Sequence, residues 1–289
     1  MAIMAYAKPE VLVTTEWLAA HLNDPKQRLI EIDVDRESYA QGHIPGAVGW
    51  DWSKELGSAL ERDIPNGAEF EALMSKNGIG PDDTLILYGD NNNWFAAFGF
   101  WLLKIYGHKD VRILDGGRKK WLAEGRPLTQ ELPAPDKTSY KVKDVQMGEM
   151  RAFREDVLAE LGQGRTSLVD VRSPAEFTGE IISPPGLPET AQRGGHIPGA
   201  TNIPWGLACN EDGTFKSADD LKALYQGRGI AADKPVIAYC RIGERSAHTW
   251  FVLSQLLGYG RVKNYDGSWT EWGNIVGSPV ERGEVAPVR

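Results

Sequence analysis

The sequence predicts an α/β protein built from two copies of one domain, each a mostly parallel sheet with helices on both faces. Three observations carry this. The pentapeptide His43-Ile-Pro-Gly-Ala47 returns letter for letter as His196-Ile-Pro-Gly-Ala200. Short apolar, β-branched runs surround each copy in the same order, and segments of helical period lie between them. Strands alternating with helices imply a parallel sheet covered on both faces, and self-similarity at one long period implies duplication.

In chain order, Thr15 to Leu22 has helical period, and Leu29-Ile-Glu-Ile-Asp33 is a strand-like run ending in acidic residues. Past the first pentapeptide come a helical segment, Ala68 to Lys76, and a second strand-like run, Thr84-Leu-Ile-Leu-Tyr-Gly89. Trp94 to Tyr106 is apolar nearly all round, as in a helix buried on both sides. Val111-Arg-Ile-Leu-Asp-Gly-Gly117 closes the copy. Leu128 to Gly148 holds Pro133, Pro135 and many charges without periodicity and reads as a linker. The boundary is placed near residue 140, giving domains 1–140 and 141–289.

The second copy repeats the order. Leu168-Val-Asp-Val-Arg172 corresponds to Leu29 to Asp33, Pro235-Val-Ile-Ala-Tyr-Cys240 to Thr84 to Gly89, and Val262-Lys-Asn-Tyr-Asp-Gly-Ser268 to Val111 to Gly117. Gly89 to Cys240 and Gly116 to Gly267 are equal steps along the chain, whereas His43 to His196 is two residues longer. Extra residues are therefore expected in the Pro/Gly-rich loop Gly179 to Gly195. Ser217, with Asp220 three residues on, resembles a capping box ahead of a helix reaching Gln226. Ser246 to Leu257 has the period of another helix.

Composition narrows the function classes. The chain has 289 residues, 42% hydrophobic and 25% charged, so two domains can each bury a core. Its 32 basic and 40 acidic residues give a formal net charge of −8, and no basic tract suits a phosphate backbone. A nucleic-acid partner is not expected; a small anionic substrate, which responds to local charge, is compatible. No apolar run is long enough to cross a bilayer, and the N-terminus lacks a basic start followed by a long apolar core. With two cysteines, Cys209 and Cys240, a disulfide scaffold is not expected, and a reducing, cytoplasmic setting is. No His/Cys/Asp/Glu cluster has metal spacing, so neither a metal nor another cofactor is indicated.

The chemistry concentrates at Cys240. The thiol ends an apolar run and opens the loop Cys240-Arg-Ile-Gly-Glu-Arg245-Ser246, directly before a helix. A strand, a short loop and a helix start aim backbone N–H groups and the positive end of a helix dipole at the sulfur. Two arginines add positive charge, a setting expected to lower the thiol pKa without a general base. A buried structural cysteine is the ordinary fate of a free thiol; it needs neither the glycine nor the arginines. Both pentapeptide histidines are assigned to turns, because the motif also occurs in the copy without a thiol. Cys209 reads as incidental.

The duplicated pentapeptide and the Cys-x-x-Gly-x-Arg-Ser loop (Cys240, Gly243, Arg245, Ser246) resemble the tandem-domain rhodaneses, the thiosulfate sulfurtransferase family, over essentially the whole chain. Tyr239 to Leu253 and Asn264-Tyr-Asp-Gly-Ser-Trp269 are similar to the bacterial members. The resemblance implies two rhodanese-like α/β domains with the catalytic cysteine in the second only. In the first copy Gly89-Asp-Asn-Asn-Asn-Trp94 replaces the thiol loop, so that copy's expected part is to wall the active site. It further implies a Cys240 persulfide, cradled by the amides of Ile242, Gly243 and Glu244. Arg241 and Arg245 are candidates for the sulfonate of thiosulfate, since guanidinium forks match oxyanions. Arg172 is expected at the same rim. Glu176 takes the place of an arginine found in some rhodaneses. Glu244, acidic inside an anion-binding loop, is expected either to point outward or to pair with an arginine.

The expected reaction moves the outer sulfur of thiosulfate to cyanide or another thiophilic acceptor, such as a thiol. Three other readings compete. A 3-mercaptopyruvate sulfurtransferase typically has a small, neutral loop, unlike Arg241 and Arg245. A phosphatase would use Cys-x5-Arg, one residue longer than the spacing here. A persulfide carrier delivering sulfur to a protein partner needs the same thiol and is not separable by sequence.

Overall fold

In a computed structural model of the chain, residues 5–58, 60–184, 186 and 191–283 are described. The chain forms two compact units. One holds Glu10–Met147 together with Cys209–Phe215; the other holds the chain up to Pro9, Gly148–Ala208 and everything from Lys216 onward.

The first unit is a five-stranded parallel sheet of β1 (Leu12–Val13), β2 (Gln27–Glu31), β3 (Val48–Gly49), β4 (Thr84–Tyr88) and β5 (Val111–Leu114), in the order β1-β5-β4-β2-β3. The second repeats it with β6 (Arg151–Ala152), β7 (Ser167–Asp170), β8 (Thr201–Asn202), β9 (Val236–Tyr239) and β10 (Val262–Tyr265), in the order β6-β10-β9-β7-β8. Identical strand order in two parallel sheets is the structural form of the sequence repeat.

The pentapeptides do the same work in both. The Ile44 amide donates to Tyr88 Oη at 2.9 Å, and the Ile197 amide to Tyr239 Oη at 3.0 Å. His43 stacks on Tyr39 at 4.0 Å, and His196 on Phe177 at 3.6 Å. Each ring nitrogen Nδ1 meets a backbone carbonyl, of Tyr39 and Phe177 respectively. These are turn-fixing roles.

Helices form where the periodicity places them: Thr15–His21, Gly67–Lys76, the part of Asp90–Ile105 that follows the left-handed Asn91, Asn92 and Asn93, and Ala218–Gln226. Ser217 caps the last by accepting from the Asp220 amide. The helix expected from Ser246 begins earlier, at Glu244, runs to Phe251 and widens into a π-type turn over Val252–Leu256.

The linker has no regular structure but is pinned. Thr138 N donates to the Ser75 carbonyl at 3.1 Å and Tyr140 N to Ser75 Oγ at 3.0 Å. Cys209–Phe215 belongs with the first unit because the Phe215 amide donates to Asp115 Oδ1 at 2.9 Å and Lys120 Nζ to Asp212 Oδ2 at 3.0 Å. The extra residues expected between Gly179 and Gly195 fall partly outside the described residues.

Candidate active site

β9 lies between β7 and β10, and all four of its residues are buried. It delivers Cys240 to the carboxyl edge of the sheet, where parallel sheets place their sites. The turn that follows is fixed by the segment after β10. The Cys240 amide donates to Ser268 Oγ at 3.0 Å, and its carbonyl accepts from Trp269 N at 3.0 Å. The Arg241 carbonyl accepts from both the amide and the hydroxyl of Thr270.

Gly243 then reverses the chain with φ of 99°. A Cβ there would stand 2.5 Å from Asp266 Cα, so the position needs glycine for its backbone angle and for want of space. The Gly243 carbonyl is held by Asn264 Nδ2 at 2.9 Å and lies 3.0 Å from Ser246 Oγ. With the loop so braced, the Gly243 N–H donates to Cys240 Sγ at 3.1 Å. Of the expected persulfide cradle, Gly243 is the member whose amide reaches the sulfur; Ile242 is half-buried beside it.

The electrostatics depart from expectation. Cys240 is completely buried. Burial pushes its thiol above the ordinary value and the Glu244 carboxyl adds to this, outweighing the pull of Arg245 and the donors of Ser246. The lowered thiol pKa expected from the loop sequence is therefore corrected: Arg245 and Ser246 do not offset complete desolvation and a neighbouring acid. Of the two courses expected for Glu244, the outward one is not taken. Its side chain points inward, and Cys240 Sγ donates to its Oε2 at 3.4 Å. Burial raises its carboxyl too, against the opposing charges of Arg245 and Arg241.

The three arginines separate. Arg245 is buried and paired on both terminal nitrogens with Glu176, at 3.2 Å each. Arg241 is buried beside Cys240 and acts on the Glu244 carboxyl. Arg172 is not at a rim: it has no exposed surface, and its guanidinium grips Asp170 through Nε at 2.9 Å and Nη2 at 2.5 Å. Nη2 also donates to the Gly195 carbonyl at 2.7 Å, and the guanidinium lies over the Trp269 ring at 4.5 Å. An arginine two residues beyond an aspartate at a strand end shares its face, so Asp170 and the Gly195 carbonyl hold this guanidinium through Nε and Nη2.

Glu176 was read from the sequence only as standing in an arginine's place; its pairing with Arg245 was not foreseen. Ser173 caps its short helix, and Glu176 returns the bond from N3, a capping box that fixes the carboxylate toward Arg245. The signal was available: where an arginine is replaced by an acid, a partner arginine elsewhere is the complement.

The first copy's counterpart loop is closed to thiol chemistry by shape as well as by composition. At Gly89 a Cβ would stand 2.0 Å from the Ile32 carbonyl oxygen, so no side chain fits where Cys240 stands in the second copy. Asn91, Asn92 and Asn93 are all left-handed, with φ of 42°, 56° and 61°. Asn93 fills the loop, accepting from the Gly89 amide and donating to the Leu114 carbonyl. Asp90 receives the Val34 and Asp35 amides.

Two parallel α/β units, with one buried thiol held at a strand end by a loop amide, define a tandem-domain sulfurtransferase of the rhodanese type. The chain belongs to the rhodanese family: the Rhodanese-like domain model matches residues 14–124 and 153–275. It is 54% identical to "Sulfur carrier protein TtuD" of Thermus thermophilus, over 97% of this chain and all of that one. It is 52% identical to a Haloferax volcanii protein named "Putative thiosulfate sulfurtransferase", over 96% and 98% of the two chains. Among solved structures it resembles SseA from Escherichia coli, described with the 3-mercaptopyruvate sulfotransferases, at TM-score 0.79 and 30% identity over 90% of this chain and 98% of that one. Among the described residues no helix is long and apolar enough to cross a membrane.

Proposed function

We propose that the chain is a thiosulfate sulfurtransferase working through a Cys240 persulfide, in a reducing cytoplasm that suits a chain with two cysteines. The observation that carries this is the Gly243 amide 3.1 Å from Cys240 Sγ, in a loop braced by Ser246, Asn264 and Ser268. Such a donor stabilises negative sulfur, whether thiolate or persulfide. The Cys240 sulfur attacks the outer sulfur of thiosulfate, the S–S bond breaks, and sulfite leaves with the electron pair. Cyanide or another thiophilic acceptor, such as a thiol, then takes the terminal sulfur and the pair returns to Cys240. Arg241 is the arginine proposed for the sulfonate, because Glu176 already occupies the terminal nitrogens of Arg245.

The second reading, delivery of the persulfide sulfur to a protein or use of 3-mercaptopyruvate, draws on one observation. With Glu176 against Arg245 and Glu244 against Cys240, the loop carries less net positive charge than its arginines suggest, and a less anionic donor is tolerated. Relatives are named on both sides. Initial rates with varied thiosulfate and cyanide test the main reading. Parallel double-reciprocal lines, with 3-mercaptopyruvate turning over more slowly, support it. Intersecting lines, or a preference for 3-mercaptopyruvate, contradict it.

A further inference from the structure

A thiol with no exposed surface loses its proton to solvent only with difficulty, so a group already inside is the readier acceptor. One carboxylate is there. Glu244 Oε2 lies 3.4 Å from Cys240 Sγ, while Oε1 is buried with no hydrogen-bond partner among the described residues. The side chain is 2% exposed, a costly position for an acid with no task. It occupies the first turn of the helix that follows the loop, so the Gly243 turn that brings an amide to the sulfur also brings this carboxylate.

We propose that Glu244 is a catalytic acid–base residue, which takes the Cys240 proton when the sulfur attacks and returns it when the sulfur is handed on. The assignment rests on the persulfide reading above. In the first half-reaction the Sγ–H proton moves to Glu244 Oε2, the sulfur's electron pair forms the bond to the outer sulfur of thiosulfate, and sulfite departs with the pair of the broken S–S bond. Glu244 keeps the proton opposite the persulfide anion. In the second, the acceptor bonds the terminal sulfur, the S–S pair returns to Cys240, and Glu244 restores the proton. The buried pair thus keeps a constant number of protons through the cycle, which a water-excluded site favours.

Other charged groups frame the pair. Arg241 and Arg245 act directly on the Glu244 carboxyl. Glu176, from the Pro174–Thr178 helix, sits behind Arg245. Asp266 lies beneath Gly243 from the turn after β10, but Arg151 Nε holds it at 2.8 Å. His248, one turn along the same helix, is buried with its ring edge-on to Trp205.

Glu244→Gln keeps the shape and removes the proton acceptor. Two rates are read across pH in wild type and variant: alkylation of Cys240 by iodoacetamide, and thiosulfate-to-cyanide turnover. Alkylation is expected to be slower in the variant at neutral pH, because the thiol loses its proton acceptor. Turnover is expected to fall about a hundredfold, the lower range for loss of a general acid–base. A packing role lowers both rates alike at every pH, whereas loss of the proton acceptor lets both recover as pH rises. Turnover and pH profile equal to wild type, or both rates lowered alike at every pH, overturn the assignment. Should the variant not fold, wild type alone decides: a solvent deuterium isotope effect above unity on single-turnover persulfide formation is expected, and unity overturns it. Wild type that takes up no sulfur from thiosulfate overturns the persulfide reading and this assignment with it; the outcomes named before it overturn the assignment alone.

Discussion

Glu176 and Arg245 form a buried, two-pronged ion pair across the active-site loop, with both contacts at 3.2 Å. The pair anchors the helix after Cys240 to the short helix after β7, and it spends a charge that the loop sequence offers to substrate.

Glu176→Gln should therefore destabilise the second unit by about 3 kcal/mol, as for breaking one side of a buried pair. Burial alone would raise the Glu176 carboxyl, but Arg245 and the Ser173 amide overrule it, and the group lies below its ordinary 4.5. A depressed folded pKa gives stability that is present above the unfolded value and lost as pH falls through the folded one. Denaturant midpoints between about pH 6 and about pH 3 check this: wild type should lose more stability across the window than Glu176→Gln.

Arg172 is expected to act on the fold rather than on substrate. Arg172→Lys loses the fork that holds Asp170 and the Gly195 carbonyl together, and lysine does not replace a stacked, two-pronged guanidinium. Thermal denaturation should show a loss of about 3 kcal/mol, while the KM for thiosulfate of the folded enzyme stays within about two-fold. A large rise in KM at unchanged stability contradicts the structural role.

Gly243 and Gly89 make a matched pair of tests. Gly243→Ala must strain a φ of 99° and press on Asp266; the amide at Sγ shifts, and turnover should drop by more than the roughly 1–2 kcal/mol stability cost of a left-handed alanine implies. Gly89→Ala puts a carbon against the Ile32 carbonyl. It should destabilise the first unit by about 3 kcal/mol and leave the thiol loop's chemistry intact. Melting curves with turnover measured on both variants separate the two effects.

Asp33 gives the first unit a pH dependence of opposite sign. Burial first, and the Glu31 carboxylate next, push its carboxyl up from 3.8 to about 9. An acid whose folded pKa is raised binds its proton more tightly when folded, so stability is fullest below the unfolded value and declines as pH climbs toward about 9. Asp33→Asn, whose side-chain oxygen can still accept the Asp90 amide now bonded to Oδ1, should flatten that decline. Melts of wild type and variant at about pH 5 and about pH 8 compare the slopes.

Much of this was legible in the residues. The repeated pentapeptide and the matching runs gave the duplicated parallel sheet, because strand order follows from connectivity that both copies share. Cys240 and Gly243 were legible because a strand-end thiol and a reversing glycine are local features. The arginines were not. How Arg172 and Arg245 are held is decided by Asp170 two residues away and by Glu176, far away along the chain, and loop composition carries neither contact. Glu244 was visible as an anomaly, but its inward direction follows from the Gly243 turn, a backbone angle that sequence alone does not supply.

The central claim is that Cys240 accepts a sulfur atom from thiosulfate. Intact mass of wild type and Cys240→Ser, measured after thiosulfate and again after cyanide, tests it most directly. Wild type should gain the mass of one sulfur atom and lose it to cyanide, while Cys240→Ser gains nothing; a sulfur adduct that survives in Cys240→Ser contradicts the account.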